Sequence, residues 1–152
     1  MLSLHHVAIT VADLDAAIDW YTRVLGLRIS RLEAETDVSD AAINLHGERV
    51  RLRGAELTVD GAGGPFVELH QFITPTGEGA RRVCDTGISH FAFYTDDIHA
   101  EYDRLRELGV TFSTPPQYIA DGGLAGDWWV YFTDPWGNQL QLVSQPATGR
   151  VG

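Results

Sequence analysis

The chain has no long apolar run, a single cysteine and few basic residues, and each shortage disfavours a class of protein. No stretch approaches the roughly 18 apolar residues that a membrane-spanning helix needs, so we expect no membrane partner. Lys and Arg number 11 against 21 Asp and Glu, and the formal net charge of −10 disfavours binding to nucleic acid. Cys84 has no second cysteine with which to form an internal disulfide.

The composition is that of an ordinary globular protein. The 152 residues suit one domain, because two halves of this size would each be too small to bury a good core alone. A strand pattern follows Met1 directly and no secretory signal is visible, so the predicted location is the cytoplasm.

The first strand pattern of the chain returns in its second half. Shifting the sequence by 84 positions places His6 on His90, Ala8 on Ala92 and Asp13 on Asp97. One polar residue is therefore preserved among apolar neighbours at the same point of two predicted strands. The repeat indicates two related modules. The two histidines at matching positions are therefore candidates for binding a common ligand.

Alternating apolar residues predict strands, and apolar residues three and four positions apart predict helices. Each module then reads as strand, helix, strand, strand, strand, with Asp13 and Asp97 as helix N-caps. In module one (about 1–73) the strands are predicted at 4–11, 27–33, 48–59 and 65–72, with a hairpin turn at 60–64. A linker (74–86) leads to module two (about 87–145), with strands at 88–95, 110–113, 127–133 and 139–144, a long loop at 114–126, a tight turn at 134–138 and a frayed tail at 146–152.

Side-chain alternation selects a candidate metal site. Val67 and Leu69 point to one side of their strand, so Glu68 points to the other, and Gln141 occupies the matching place in module two. His6 and His90 do the same in the two first strands. Two imidazoles, one carboxylate and one carboxamide form a plausible ligand set for a divalent metal ion, with positions left for substrate or water.

Three further residues follow from the same alternation. His5 faces away from His6, so we expect it to be structural or exposed rather than a ligand. His70 shares a face with Glu68 and is predicted to contact substrate, although packing at the cleft rim would also explain it. Trp128 is the second predicted substrate contact, and alternation allows only one of Trp128 and Trp129 to face a flat substrate.

Several segments together resemble the vicinal oxygen chelate superfamily, which includes glyoxalase I, methylmalonyl-CoA epimerase, extradiol dioxygenases, fosfomycin-resistance enzymes and bleomycin-binding proteins. The resemblance covers residues 4–144. It rests on HVAITVADLD from His6, Trp20-Tyr21, Leu25-Gly26-Leu27, Val67-Glu68-Leu69, Ser89-His90-Phe91-Ala92-Phe93, and DPWGNQLQL from Asp134.

The resemblance implies an α+β fold of paired βαβββ modules that form a cup-shaped, mostly antiparallel mixed sheet, and a homodimer. It implies metal ligands at His6, Glu68, His90 and Gln141, with one divalent ion (Zn, Ni, Co, Mn or Fe). Gln141 stands where glyoxalase I and the epimerase usually have glutamate, and an amide cannot accept a proton. Glu68 is then the predicted catalytic base.

We therefore expect a metal-dependent lyase or isomerase of the glyoxalase or epimerase type. It would act on a small oxygenated substrate by moving a proton beside a metal-bound oxygen. The alternatives are an iron-dependent extradiol-type dioxygenase and a small-molecule binding or resistance protein without catalysis.

Overall fold

A computed structural model of the chain describes residues 4–59, 64–79 and 82–144. The predicted tail at 146–152 and most of the predicted turn at 60–64 lie outside these residues. The chain divides into two compact units, Met1–Glu78 and Gly79–Gly152, which we call the first and second units. The boundary falls inside the predicted linker.

The first unit is a four-stranded mixed sheet with one long helix. In the sheet the strands lie in the order β1-β4-β3-β2, and only the β1/β4 pair is parallel. A short 3-10 turn, Ala41–Ile43, lies between β2 and β3. The elements are β1 (His6–Thr10), α1 (Leu14–Arg23), β2 (Arg28–Val38), β3 (Val50–Thr58) and β4 (Phe66–Thr74).

The second unit repeats this plan. Its strand order is β5-β8-β7-β6, and again only the pair formed by the first and last strands is parallel. The predicted α+β class and the βαβββ order of both modules are confirmed. The elements are β5 (Phe91–Tyr94), α2 (Ile98–Glu107), β6 (Gln117–Tyr118), β7 (Trp128–Thr133) and β8 (Gln139–Ser144).

One predicted strand is wrong as placed. In the stretch 110–113 only Phe112 pairs, through an isolated bridge to Phe132, and strand β6 lies in the segment that was predicted as loop. Pro115 and Pro116 separate the bridge from β6. Proline has no amide proton to donate to a sheet, so these two residues interrupt the pairing along β7.

Both predicted helix caps are observed. The Asp13 carboxylate accepts a hydrogen bond from the amide of Ala16, and the Asp97 carboxylate accepts from the amides of His99 and Ala100. These bonds satisfy amides that have no partner inside the helix. Each helix therefore begins at the residue after its capping aspartate, which lies three residues beyond the end of the preceding strand. None of the helices in the described residues is long and apolar enough to cross a membrane.

The helix of each unit covers the apolar face of its sheet. In the first unit Leu57 and Leu69 are fully buried on the α1 side, together with Ala17 and Tyr21 of the helix. Burial of a leucine side chain contributes on the order of 1.5–3 kcal/mol. The second unit buries Val130, Phe132, Leu140 and Leu142 with Ile98 and Leu105 of α2. The opposite face of each sheet, which we call its polar face, carries Glu68 and His70 in the first unit and Gln141 in the second.

Candidate metal and active site

His6 and Glu68 meet on the polar face of the first sheet. In the parallel β1/β4 pair, Ala8 lies opposite Glu68, so His6, two residues earlier, shares the face of Glu68. The Nε2 atom of His6 is 3.5 Å from Oε2 of Glu68. Alternation predicted this proximity, and the role of the two residues as metal ligands stays a prediction.

His70 contacts the other oxygen of the same carboxylate. Glu68 and His70 are two residues apart on β4 and point to the same side of the sheet. The Nε2 atom of His70 lies 3.5 Å from Oε1 of Glu68. The Glu68 side chain therefore lies between two imidazoles. About 18% of the Glu68 side chain and 24% of the His70 side chain is exposed, so both are largely shielded while remaining open to a small ligand.

Sequence reasoning missed the neighbours that β2 and β3 contribute to this face. Glu33 of β2 lies opposite Gly54 of β3, and Gly54 lies opposite His70. Ligand atoms of Glu33, Glu68 and His70 all lie within 4.8 Å of one another. The sequence predicted a strand that includes Glu33. Which side chains meet across β2 and β3 depends on β-bulges in their pairing, and no pattern in the sequence predicted those bulges.

The polar face of the first sheet is rich in negative charge. Glu56 lies opposite Glu68 on β3, so three half-buried carboxylates, those of Glu33, Glu56 and Glu68, share the face. Arg31 contacts Glu33 Oε1 at 3.2 Å and Glu56 Oε1 at 3.3 Å. One arginine among three carboxylates leaves a local excess of negative charge, which favours a bound cation.

The second sheet reproduces the register of the first. Ala92 lies opposite Gln141 in the parallel β5/β8 pair, as Ala8 lies opposite Glu68. His90, two residues before Ala92, directly precedes β5, because the strand is shorter than the predicted 88–95. Its Nδ1 atom is 2.9 Å from the Ser89 hydroxyl. The strand pairing therefore matches Ala92 and Gln141 with Ala8 and Glu68, whereas His90 precedes the paired residues of β5.

Strand pairing also separates the two adjacent tryptophans. Tyr131 lies opposite Gln141, so Trp129, two residues earlier, lies on the polar face, and the rings of His90 and Tyr131 are 5.0 Å apart. Trp128 faces the helix side, where its ring lies 4.6 Å from that of His99 in α2. Trp128 as a substrate contact stays a prediction, and Trp129 is the tryptophan that shares the face of Gln141.

The fold and the residues of the two polar faces define the class of protein. The sequence profile of the Glyoxalase/Bleomycin resistance protein/Dioxygenase superfamily matches residues 3–142. The chain belongs to this superfamily. The resemblance noted in the sequence is thereby confirmed.

Two similar proteins carry the name of epimerases. The chain is 36% identical to the 2-epi-5-epi-valiolone epimerase of Actinomyces sp., over 96% of this chain and 81% of that protein. It is 33% identical to the ethylmalonyl-CoA/methylmalonyl-CoA epimerase of Cereibacter sphaeroides, over 78% of this chain and 81% of that protein. Similarity to named epimerases supports an enzyme within the superfamily.

Solved structures agree on the fold. A glyoxalase family protein from Bacillus cereus matches with a TM-score of 0.70 at 21% identity, over 95% of this chain and 94% of the other. At that identity the match concerns the fold alone.

Proposed function

We propose that the protein is a metal-dependent epimerase that inverts a carbon centre next to a carbonyl group of a small oxygenated substrate. The observation that supports this most is the Glu68 carboxylate held between His6 and His70 on the polar face of the first sheet. A carboxylate flanked by two imidazoles offers both ligand atoms and groups that exchange protons. The similarity to two named epimerases favours inversion over cleavage of the substrate.

The proposed ligand set is the one predicted from the sequence: His6, Glu68, His90 and Gln141. Nitrogen and oxygen donors of this kind suit Zn, Ni, Co, Mn or Fe. A divalent ion, when bound, would polarise the carbonyl oxygen of the substrate and so acidify the neighbouring C–H bond. The matching register of Ala8 with Glu68 and of Ala92 with Gln141 supports the choice of these four residues.

In this proposal Glu68 moves the proton. Its carboxylate takes the proton from the carbon next to the carbonyl, and the electron pair of the broken C–H bond is delocalised onto the carbonyl oxygen. A second group returns a proton to the opposite face of the same carbon, which inverts the centre. That group has to approach the carbon from the side opposite Glu68, so it is not His70, whose Nε2 atom lies 3.5 Å from Oε1 of Glu68 on the same face of β4. Gln141 has no basic atom and binds without taking part in proton transfer.

The experiment is a proton-exchange assay on metal-loaded protein in D₂O. Candidate substrates are 2-epi-5-epi-valiolone and methylmalonyl-CoA or ethylmalonyl-CoA, taken from the names of the similar proteins. We expect deuterium to enter one carbon position of the substrate and that carbon to be inverted. NMR would monitor both changes. Ring opening of catechol by the Fe²⁺-loaded protein, without deuterium exchange into any candidate, would contradict the proposal and favour a dioxygenase.

We further propose that the protein works as a homodimer in the cytoplasm. Each sheet has two edge strands, β1 and β2 in the first unit and β5 and β6 in the second, and such edges are commonly covered by module or subunit pairing. Sedimentation of the purified chain would test the dimer directly.

A further inference from the structure

A row of residues crosses three strands of the first sheet. Glu33 on β2 lies opposite Gly54 on β3, and Gly54 lies opposite His70 on β4. Residues directly opposite one another in a sheet point to the same side, so Glu33 and His70 flank Gly54 on the polar face. Their side chains come together with that of Glu68, and the three ligand atoms lie within 4.8 Å of one another.

Gly54 leaves the room in which these side chains meet. A Cβ atom at this position would lie 3.2 Å from Oε2 of Glu33, 3.2 Å from Cδ2 of His70 and 3.1 Å from the carbonyl oxygen of Leu69. Glycine weakens a strand interior, and where it occurs there it often marks the close approach of a ligand or another chain segment. At Gly54 the missing side chain lets Glu33 and His70 approach each other across the middle strand.

The two oxygens of Glu68 face different partners. Oε2 is directed at His6 and Oε1 at His70, each at 3.5 Å. A carboxylate can bind two cations, one through each oxygen. His6 lies on the side of the proposed catalytic ion, and His70 with Glu33 lies on the other.

We propose that Glu33, Glu68 and His70 hold a second divalent cation, contained within the first unit, to which Glu68 binds through Oε1; Oε2, on the side of His6, is then the oxygen that accepts the substrate proton. The donors are two carboxylates and one imidazole, a set suited to Zn, Mn or Co. Bonds of about 2.0–2.3 Å allow ligand atoms up to about 4.6 Å apart, so the three groups need to close by only a few tenths of an ångström. The cation compensates the negative charge that Arg31 leaves unpaired among Glu33, Glu56 and Glu68.

The test is metal content of the full-length chain after equilibrium dialysis against Zn²⁺, measured by mass spectrometry. The unchanged protein should bind two ions per chain, and Glu33→Ala should bind one. Glu56→Ala is the matched control, because Glu56 is on the same face and pairs with the same Arg31 but is not part of the three-residue set. It should keep two ions.

A second variant removes the space without removing a ligand. Gly54→Ala should bind one ion, because the added methyl group separates Glu33 from His70. Thermal unfolding of this variant shows whether the sheet is intact. Titration with Co²⁺ gives an independent readout, since the visible absorption should rise in two phases for the unchanged protein and in one phase for Glu33→Ala.

This inference and the proposed function fail in different ways. Equal metal content in Glu33→Ala, Glu56→Ala and the unchanged protein would refute the second position and leave the proposed function standing. If instead His90→Ala and Gln141→Ala keep two ions while Glu33→Ala loses one, the four-residue ligand set is wrong and the second position holds.

Discussion

The Nδ1 atom of His5 lies 2.9 Å from Nδ1 of His6, so the two neighbouring histidines are joined by a hydrogen bond between their rings. One nitrogen must donate and the other accept. His6 then keeps its Nε2 atom directed at Glu68, and the ring of His5 lies 5.1 Å from the ring of Phe66. His5 thus orients His6 without itself facing the carboxylate.

The first prediction separates the two histidines. His6→Ala should lose the ion held beside His6, because it removes the Nε2 donor. His5→Ala should keep that ion and bind it about 10–100-fold more weakly, which is the usual effect of removing a residue that orients a ligand. Metal content and Zn²⁺ affinity measure both effects. Equal metal retention in the two variants would reverse the assignment.

The second prediction concerns the proton. Glu68→Gln keeps an oxygen that can bind metal and removes the basic carboxylate, so we expect measurable metal and a loss of about 100-fold or more in turnover. Gln141→Glu is the opposite exchange at the matching position of the second unit, and it should keep both metal and turnover. Full activity of Glu68→Gln, combined with an inactive His70→Ala, would assign the proton to His70 and leave Glu68 as a ligand.

The sequence predicted those parts of the site that depend only on side-chain alternation within one strand. Glu68 with His70 on β4, and His6 with Ala8 on β1, follow from a period of two residues. Glu33 was not reached, because its place depends on β-bulges between β2 and β3. Trp128 was predicted as the substrate contact with Trp129 left open as the alternative, since only the pairing of Tyr131 with Gln141 assigns the faces of β7.

The third prediction tests the core beneath the polar face. Leu57 is fully buried between the sheet and α1, so Leu57→Ala should lower the free energy of unfolding by about 2–5 kcal/mol. Leu32 is the matched control in the same unit, because 64% of it is exposed. Leu32→Ala should change stability by less than about 0.5 kcal/mol. Urea unfolding of the full chain measures both, and equal losses would contradict the burial of Leu57.

The fourth prediction concerns acid pH and the loop after β2. The backbone amides of Gly47 and Ala41 donate hydrogen bonds to the Asp40 side chain and hold its pKa below the ordinary value, with Gly47 contributing most. Because the folded pKa is the lower one, these bonds stabilise the loop above the unfolded pKa, and the contribution is lost as the pH falls through the folded pKa. The protection of the Gly47 amide against exchange, measured relative to its intrinsic rate at each pH, should therefore fall as the pH drops through the folded pKa of Asp40.

Asp40→Asn provides the control for that measurement. Asparagine keeps an oxygen acceptor and does not titrate. In the variant, the protection of the Gly47 amide should therefore not fall at the pH where Asp40 is protonated. An unchanged pH profile in the variant would show that Asp40 is not the titrating group.

The parallel pairing of β1 with β4 has a consequence for folding. Neighbouring strands β2, β3 and β4 can pair through short connections, whereas β1 joins β4 only when position 6 meets position 66. Closing so long a loop costs entropy that local contacts do not repay, and such non-local pairings slow folding. We expect amides of β3 and β4 to become protected before those of β1 in pulse-labelling experiments. The His6–Glu68 pair would then form among the last contacts, so a chain in which these two side chains meet has already completed its first sheet.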